Sequence, residues 1–230
     1  MRCDLYIVKN DIAASLSDDE KKCLPRSYME KAQEIAERSA GKLIVPAAAH
    51  ACASAYLLHT VLGVGPEDPL PLGEHGKPLP VGEYRKTLPY ALHYSISHDR
   101  DYTILAVARA ELGVDIEQIT DCKPGIVRRT FPKSYADTVL AGSGVSGYSA
   151  RDRAGQAQLF TEYWTKLEAV LKAEGCGFAE DYLQKPELFE IWQVISFPWK
   201  DYMISSAMRE VPELHLFEVT ESGNVAESDI

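Results

Sequence analysis

The chain has 230 residues, 46% of them apolar, and a formal net charge of −10. That length and apolar content suffice for a substantial buried core, built either as one unit or as two small lobes. The charge argues against nucleic acid as a partner, since residues 174–230 alone carry 12 acids against 3 bases, the reverse of a phosphate-binding surface.

The opening run, MRCDLYIVKND, carries charges and lacks an apolar signal core, and no stretch approaches the roughly 18 apolar residues of a membrane span. Five cysteines (Cys3, Cys23, Cys52, Cys122, Cys176) stand without CxxC spacing and in odd number, which suits a reducing compartment better than a disulfide framework. A cytoplasmic protein with no membrane contact is expected, and as nothing in the pattern demands a partner subunit, a monomer.

In chain order, a strand is expected at residues 5–8, then a short helix from Ser17, where Ser17 and Glu20 have capping-box spacing. Helical pattern returns over 28–38 and again from Pro46, a residue suited to a first turn, to Leu62 before Gly63. Residues 63–83 are rich in Gly and Pro and read as irregular connection. Strands follow over 92–97 and 103–108, and a turn at Ala110 and Glu111 leads into the strand holding GVDIEQI; the three are expected to form an antiparallel meander. Helices are expected over 124–130 and 134–140, then a flexible run, AGSGVSGYS, at 141–149. A long amphipathic helix over 152–173 places Leu159, Tyr163, Leu167, Val170 and Leu171 on its apolar side and stops at Gly175. Strands are expected over 189–196, 202–207 and 213–219, and the last ten residues, ESGNVAESDI, read as a disordered acidic tail. This is an α+β plan, with one group of helices and strands up to residue 110 and a second over 111–220, and no sequence repeat evident between them.

The chemistry concentrates in two runs. In a strand alternate side chains share a face, so Asp115 and Glu117 project together about 7 Å apart while Val114 and Ile116 point the other way. In WTKLEAVLK, positions four apart stack on a helix, so Trp164, Glu168 and Lys172 form one stripe. Three carboxylates without a His or Cys cluster match the oxygen-rich coordination of magnesium, with manganese also accommodated, and are a poor match for zinc. Taken singly each run has a plainer reading, since a Glu four residues before a Lys is a common surface pair contributing about 0.2–0.5 kcal/mol.

Together the two runs resemble the signature of the Sfp-type phosphopantetheinyl transferases: a G-[VI]-D-x-E strand, then a W-[ST]-x-K-E-[AS]-x-x-K helix. Two further segments fall in the family's order, GKP at Gly76, Lys77 and Pro78, and SISHD with Ser97, His98 and Asp99. Arg129 and Phe131 fall where the family places an Arg and an aromatic. The resemblance implies transfer of the phosphopantetheine arm of coenzyme A, the substrate, to a serine of an acyl or peptidyl carrier protein, releasing adenosine 3',5'-bisphosphate. It implies two similar lobes about a pseudo-twofold axis, each a small, mainly antiparallel sheet packed with helices. Coenzyme A would lie between them, its nucleotide toward the first lobe (1–110), with the metal and catalytic motifs in the second.

By that resemblance Asp115, Glu117 and Glu168 hold the magnesium ion, Glu168 also accepts the serine proton, and Lys172 neutralises the leaving phosphate. Ser97 and His98 contact the nucleotide end of coenzyme A, His98 at the 3'-phosphate, and Lys77 contacts phosphate. Without it, HDRD is a polar hairpin turn and GKP a solvated loop. Two departures stand out. Leu167 occupies the place of a family lysine, and Ala51 that of a family arginine, with His50 the nearest polar substitute. Lys31, Arg38 and Lys42 are the candidate replacements. These departures motivate the rival reading, a non-catalytic binder of coenzyme A or carrier protein with the same fold. A basic stretch at Lys123, Arg128, Arg129 and Lys133 is the expected landing place for an acidic carrier.

Overall fold

The computed structural model describes residues 1–38, 45–81, 91–143, 150–179 and 182–228. Lys42 and most of the expected flexible run, residues 144–149, lie outside them. Strand β1 (Arg2–Lys9) is followed by short helices α1 (Ile12–Ser15) and α2 (Asp18–Lys22), then α3 (Arg26–Arg38) and α4 (Val45–Leu62). Helix α2 begins as the sequence predicts: the Ser17 hydroxyl accepts from the Glu20 amide while the Glu20 carboxylate accepts from the Ser17 amide. Helix α4 is apolar on every side, and Ala53, Ala55, Leu57 and Leu58 are completely buried, as fits a helix enclosed by the rest of the fold. It covers one face of the first sheet.

Strands β2 (His93–Asp99) and β3 (Tyr102–Ala108) form a hairpin, and β4 (Leu112–Gln118) follows. Helices α5 (Pro124–Thr130), α6 (Lys133–Ser143) and α7 (Ala150–Glu174) come next, then α8 (Leu188–Ile191) and strands β5 (Gln193–Trp199), β6 (Tyr202–Met208), β7 (Glu213–Val219) and β8 (Val225–Ser228). The architecture is α+β, with a five-stranded sheet ordered β2-β3-β1-β7-β8 and a three-stranded sheet ordered β4-β6-β5. Among the described residues, no helix is long and apolar enough to cross a membrane.

Four expectations change. The meander ends at β3, because β1 takes the free edge of β3 and β4 joins the second sheet. The strand expected from 189 starts at Gln193, since residues 188–191 form a helical turn that buries Leu188. Strand β7 leaves the second group and pairs in parallel with β1, Arg2 opposite Glu213 through Ile7 opposite Glu218. The tail is ordered through Ser228: a turn at 220–224, closed by the Thr220 amide on the Asn224 carbonyl at 3.0 Å, returns β8 along the outer edge of β7. Its polar composition suggests disorder, but the backbone of β7 had an open edge to fill.

The two halves repeat one plan. In the first sheet β1 pairs with β3 and β3 with β2; in the second β4 pairs with β6 and β6 with β5, all antiparallel. The hairpin registers are offset by one hundred, His93 opposite Ala108 matching Gln193 opposite Met208. Both tips carry a basic residue with positive φ, Arg100 at 44° and Lys200 at 54°. The inner faces of the two sheets share one core, with Leu5, Ile7 and Ile104 against Val114, Ile116 and Ile204. A third cluster, including Leu167, Val170 and Leu171, seats α7 on the second sheet.

Candidate active site

Strand β4 and helix α7 approach each other closely at Gly113. A methyl group added there would overlap the Ala169 carbonyl oxygen and lie 2.5 Å from the Ala173 amide nitrogen. Backbone contact of this kind brings the carboxylates of β4 beside Glu168 on α7. Asp115, Glu117 and Glu168 each offer an oxygen within 4.8 Å of the others, so one ion can be held by all three. Asp115 is 1% exposed. Its Oδ1 accepts from Ser97 Oγ at 2.7 Å and from Lys172 Nζ at 2.5 Å, whereas its Oδ2 is buried without a hydrogen-bond partner. A buried, unpartnered carboxylate oxygen beside two further carboxylates fits a hard divalent cation. Lys172 also donates to Ser97 at 2.8 Å and lies 3.6 Å from Glu168.

Burial dominates the electrostatics. It raises Glu117 to about 8, with repulsion from Asp115, Asp99 and Glu168 adding to it. It raises Glu168 to about 7, with Asp115 adding and Lys172 opposing. Asp115 is raised by burial against the pull of Lys172. For Lys172, burial is outweighed by Asp115 and Glu168, and its pKa rises. Glu117 and Glu168 thus bind protons more tightly in the folded than in the unfolded chain. Unfolding then releases protons between the ordinary carboxylate value and about pH 8, and stability without metal falls as pH rises through that window. In chelator, the melting temperature is expected to drop between about pH 5 and about pH 8.5, and magnesium to restore it. A flat profile would contradict this charge arrangement.

A cleft of about 490 Å3 opens beside these groups, between α3, α4, β2 and the C-terminal end of α7, within the usual size of ligand sites. Its lining includes Lys31, His75, Lys77, His98 and Lys172 and, among the described residues, no acid. His98 stacks on His50, ring centroids 4.3 Å apart. Desolvation against that ring lowers its pKa to about 4, aided by His50, Lys172 and Lys31. The residue keeps solvent exposure, and the lowered pKa leaves the ring neutral at pH 7. An anion in the cleft would draw the proton back.

Lys31 lines this cleft and Arg38 does not. Arg38 stands two turns further along α3, about 10.5 Å up the axis, and pairs with Glu34 at 3.4 Å. Lys77 lines the cleft, but its ammonium donates to the Ala173 carbonyl at 2.5 Å and to Glu111 at 3.2 Å, holding the last turn of α7. It crosses beneath Gly175, where φ is +81° and a Cβ would meet the Lys77 chain at 2.7 Å. Of the departures, Leu167 is wholly buried in the α7 core and Ala51 forms part of the cleft wall. The His50 ring nitrogen is engaged by the Arg100 carbonyl at 3.0 Å. Lys166 turns outward to Glu162 and the Tyr163 ring.

On the other side of Glu117 lies a smaller pocket that includes Lys123, Ile126, Phe160 and Trp164. Trp164 Nε1 approaches Glu117 at 3.4 Å, and its ring stacks between Phe131 and Phe178, the latter 49% exposed. Of the basic stretch, Lys123, Arg128 and Arg129 are exposed, and Lys133 is paired with Asp137 at 2.6 Å.

A family model described as the 4'-phosphopantetheinyl transferase superfamily matches residues 111–221, which hold all three carboxylates and Lys172. That stretch of the chain, just under half of its length, is similar to the superfamily. It is 32% identical over 87 residues to the 4'-phosphopantetheinyl transferase Sfp of Bacillus subtilis (strain 168), a match covering 38% of this chain and 35% of that protein. The match thus spans about a third of that relative's length.

Two contacts within the candidate site escaped the sequence reading. Ser95 Oγ accepts from the Val114 amide at 3.1 Å, and Asp99 Oδ2 accepts from the Gln118 amide at 2.8 Å. Alternation in SISHD was the available signal, since it puts Ser95, Ser97 and Asp99 on one strand face.

Proposed function

We propose that this protein is an Sfp-type phosphopantetheinyl transferase that moves the 4'-phosphopantetheine arm of coenzyme A to a carrier-protein serine, releasing adenosine 3',5'-bisphosphate. The observation carrying this reading is a cleft lined, among the described residues, by lysines and histidines and no acid, which reaches Lys172 beside a three-carboxylate cluster. A polyphosphate bound there would have cations along its length and a metal at one end. Magnesium, or manganese, held by Asp115, Glu117 and Glu168 would supply charge neutralisation at the diphosphate.

The remaining roles belong to this chain's own residues. Glu168, the one carboxylate of the three supplied by α7, receives the serine proton. Lys172 offers a fixed ammonium to the departing phosphate, held in place by Ser97 and Asp115. Lys31 and His98 serve the nucleotide end, His98 at the 3'-phosphate. Lys77 acts first as a tie on α7 and reaches phosphate only by exchanging those bonds. The exposed Lys123, Arg128 and Arg129 on and before α5 give an acidic carrier its approach.

The test is to mix the protein with apo carrier protein, coenzyme A and magnesium and weigh the carrier by mass spectrometry. The added arm is the expected product. A carrier of unchanged mass, with coenzyme A still bound by the protein, would favour the non-catalytic binder to which Leu167 and Ala51 point. Within the same assay Lys31→Ala should raise the KM for coenzyme A roughly tenfold, the loss of a charge-assisted bond, while Arg38→Ala leaves it unchanged.

A further inference from the structure

Strands β2 and β4 belong to different sheets, yet three successive same-face side chains of β2 bond to β4. The Val114 amide donates to Ser95, the Ser97 hydroxyl donates to the Asp115 carboxylate, and the Gln118 amide donates to Asp99. The last of these grips the peptide that follows Glu117, at the end of the strand. Asp99 itself sits on a fixed support. The adjacent Arg100 carbonyl is held by Asn10 Nδ2 at 2.7 Å and by His50, and the Asp101 carbonyl by the Asn10 amide at 2.8 Å. On the opposite side, the Ile119 amide is anchored to the Asp201 carbonyl at 2.9 Å.

We propose that Asp99 is a positioning residue for the metal centre, fixing the end of β4 through the Gln118 amide so that Glu117 faces Asp115 and Glu168. It makes metal geometry depend on how the first lobe meets the second. This rests on the reading of the three carboxylates as metal ligands and assigns Asp99 no contact with substrate. A side chain that orients a ligand from behind typically changes metal affinity by about 10–100-fold when removed.

The test uses the full chain and manganese, titrated by electron paramagnetic resonance, alongside coenzyme A binding in chelator and thermal melts. Asp99→Ala is expected to weaken manganese binding about tenfold and to leave coenzyme A binding in chelator unchanged. Asp99→Asn keeps an oxygen for the Gln118 amide and should remain near wild type. Asp99→Glu keeps the charge but displaces the oxygen, and should bind manganese more weakly than the Asn variant. Unaltered affinity in the Ala variant, or equal weakness in Ala and Asn with Glu spared, would overturn the proposal. Loss of melting temperature alone, with metal affinity intact, would also overturn it. Manganese binding by the wild type that Asp115→Asn abolishes keeps the metal reading separate from any failure at Asp99.

Discussion

Asp115→Asn is expected to abolish divalent-ion binding and lower the proposed transfer by about a thousandfold. The two side chains have nearly the same shape, so the fold tolerates the change. The remaining carbonyl oxygen can still accept from Ser97 and Lys172. The new amide nitrogen then occupies the place of Oδ2, the buried oxygen with no protein partner, and turns a donor toward the metal position. It also removes one of three negative charges facing Lys172, leaving Glu168 at 3.6 Å as its remaining direct ion pair. Manganese titration and the carrier mass assay check both parts, and an unchanged metal affinity would remove Asp115 from the ligand set.

Gly113→Ala should be strongly damaging for the addition of a single methyl. The added carbon would strike the backbone of α7 at Ala169 and Ala173, and backbone cannot rotate away as a side chain can. Overpacking of a rigid core costs about 1–3 kcal/mol and sometimes more. In a chain of this size that corresponds to a fall in melting temperature of several degrees, at roughly 2–4 °C per kcal/mol. Any relief comes from moving α7 off β4, which draws Glu168 from Asp115, so metal affinity should fall with stability. Gly125→Ala is the control: nothing lies within 4 Å of the added carbon, and it should be neutral or stabilise α5 by up to about 1 kcal/mol. Equal effects at the two sites would refute the close-approach account.

The clustering of the three carboxylates with Lys172 was readable from two local periods. Alternation along a strand put Asp115 with Glu117, and a four-residue step along a helix put Glu168 with Lys172; both are properties of short stretches of chain. What those periods could not supply was the partner of each strand. Strand β4 is an ordinary continuation of a hairpin until β1, a hundred residues away, claims the edge of β3. The same holds for Arg38, which shares a helix face with Lys31 but stands two turns past the cleft, and for Lys77, whose charge is taken up by a carbonyl almost a hundred positions later. One long-range relation is too faint in the sequence to stand out as a repeat. DYTILAVAR at 101–109 and DYMISSAMR at 201–209 share Asp, Tyr, Ile and Arg at equal spacing, and these positions carry the matching hairpin registers.

The return of β7 to the side of β1 makes the molecule inseparable at its midpoint. A fragment ending near residue 110 would keep a bare edge on β1 where residues 213–219 belong, while the complementary fragment would present β7 and β8 as a detached ribbon with nothing to lean on. Each piece by itself invites association through unsatisfied backbone. The protein should therefore melt in one cooperative step, and a nick in the chain between the halves should yield a non-covalent pair rather than two stable proteins.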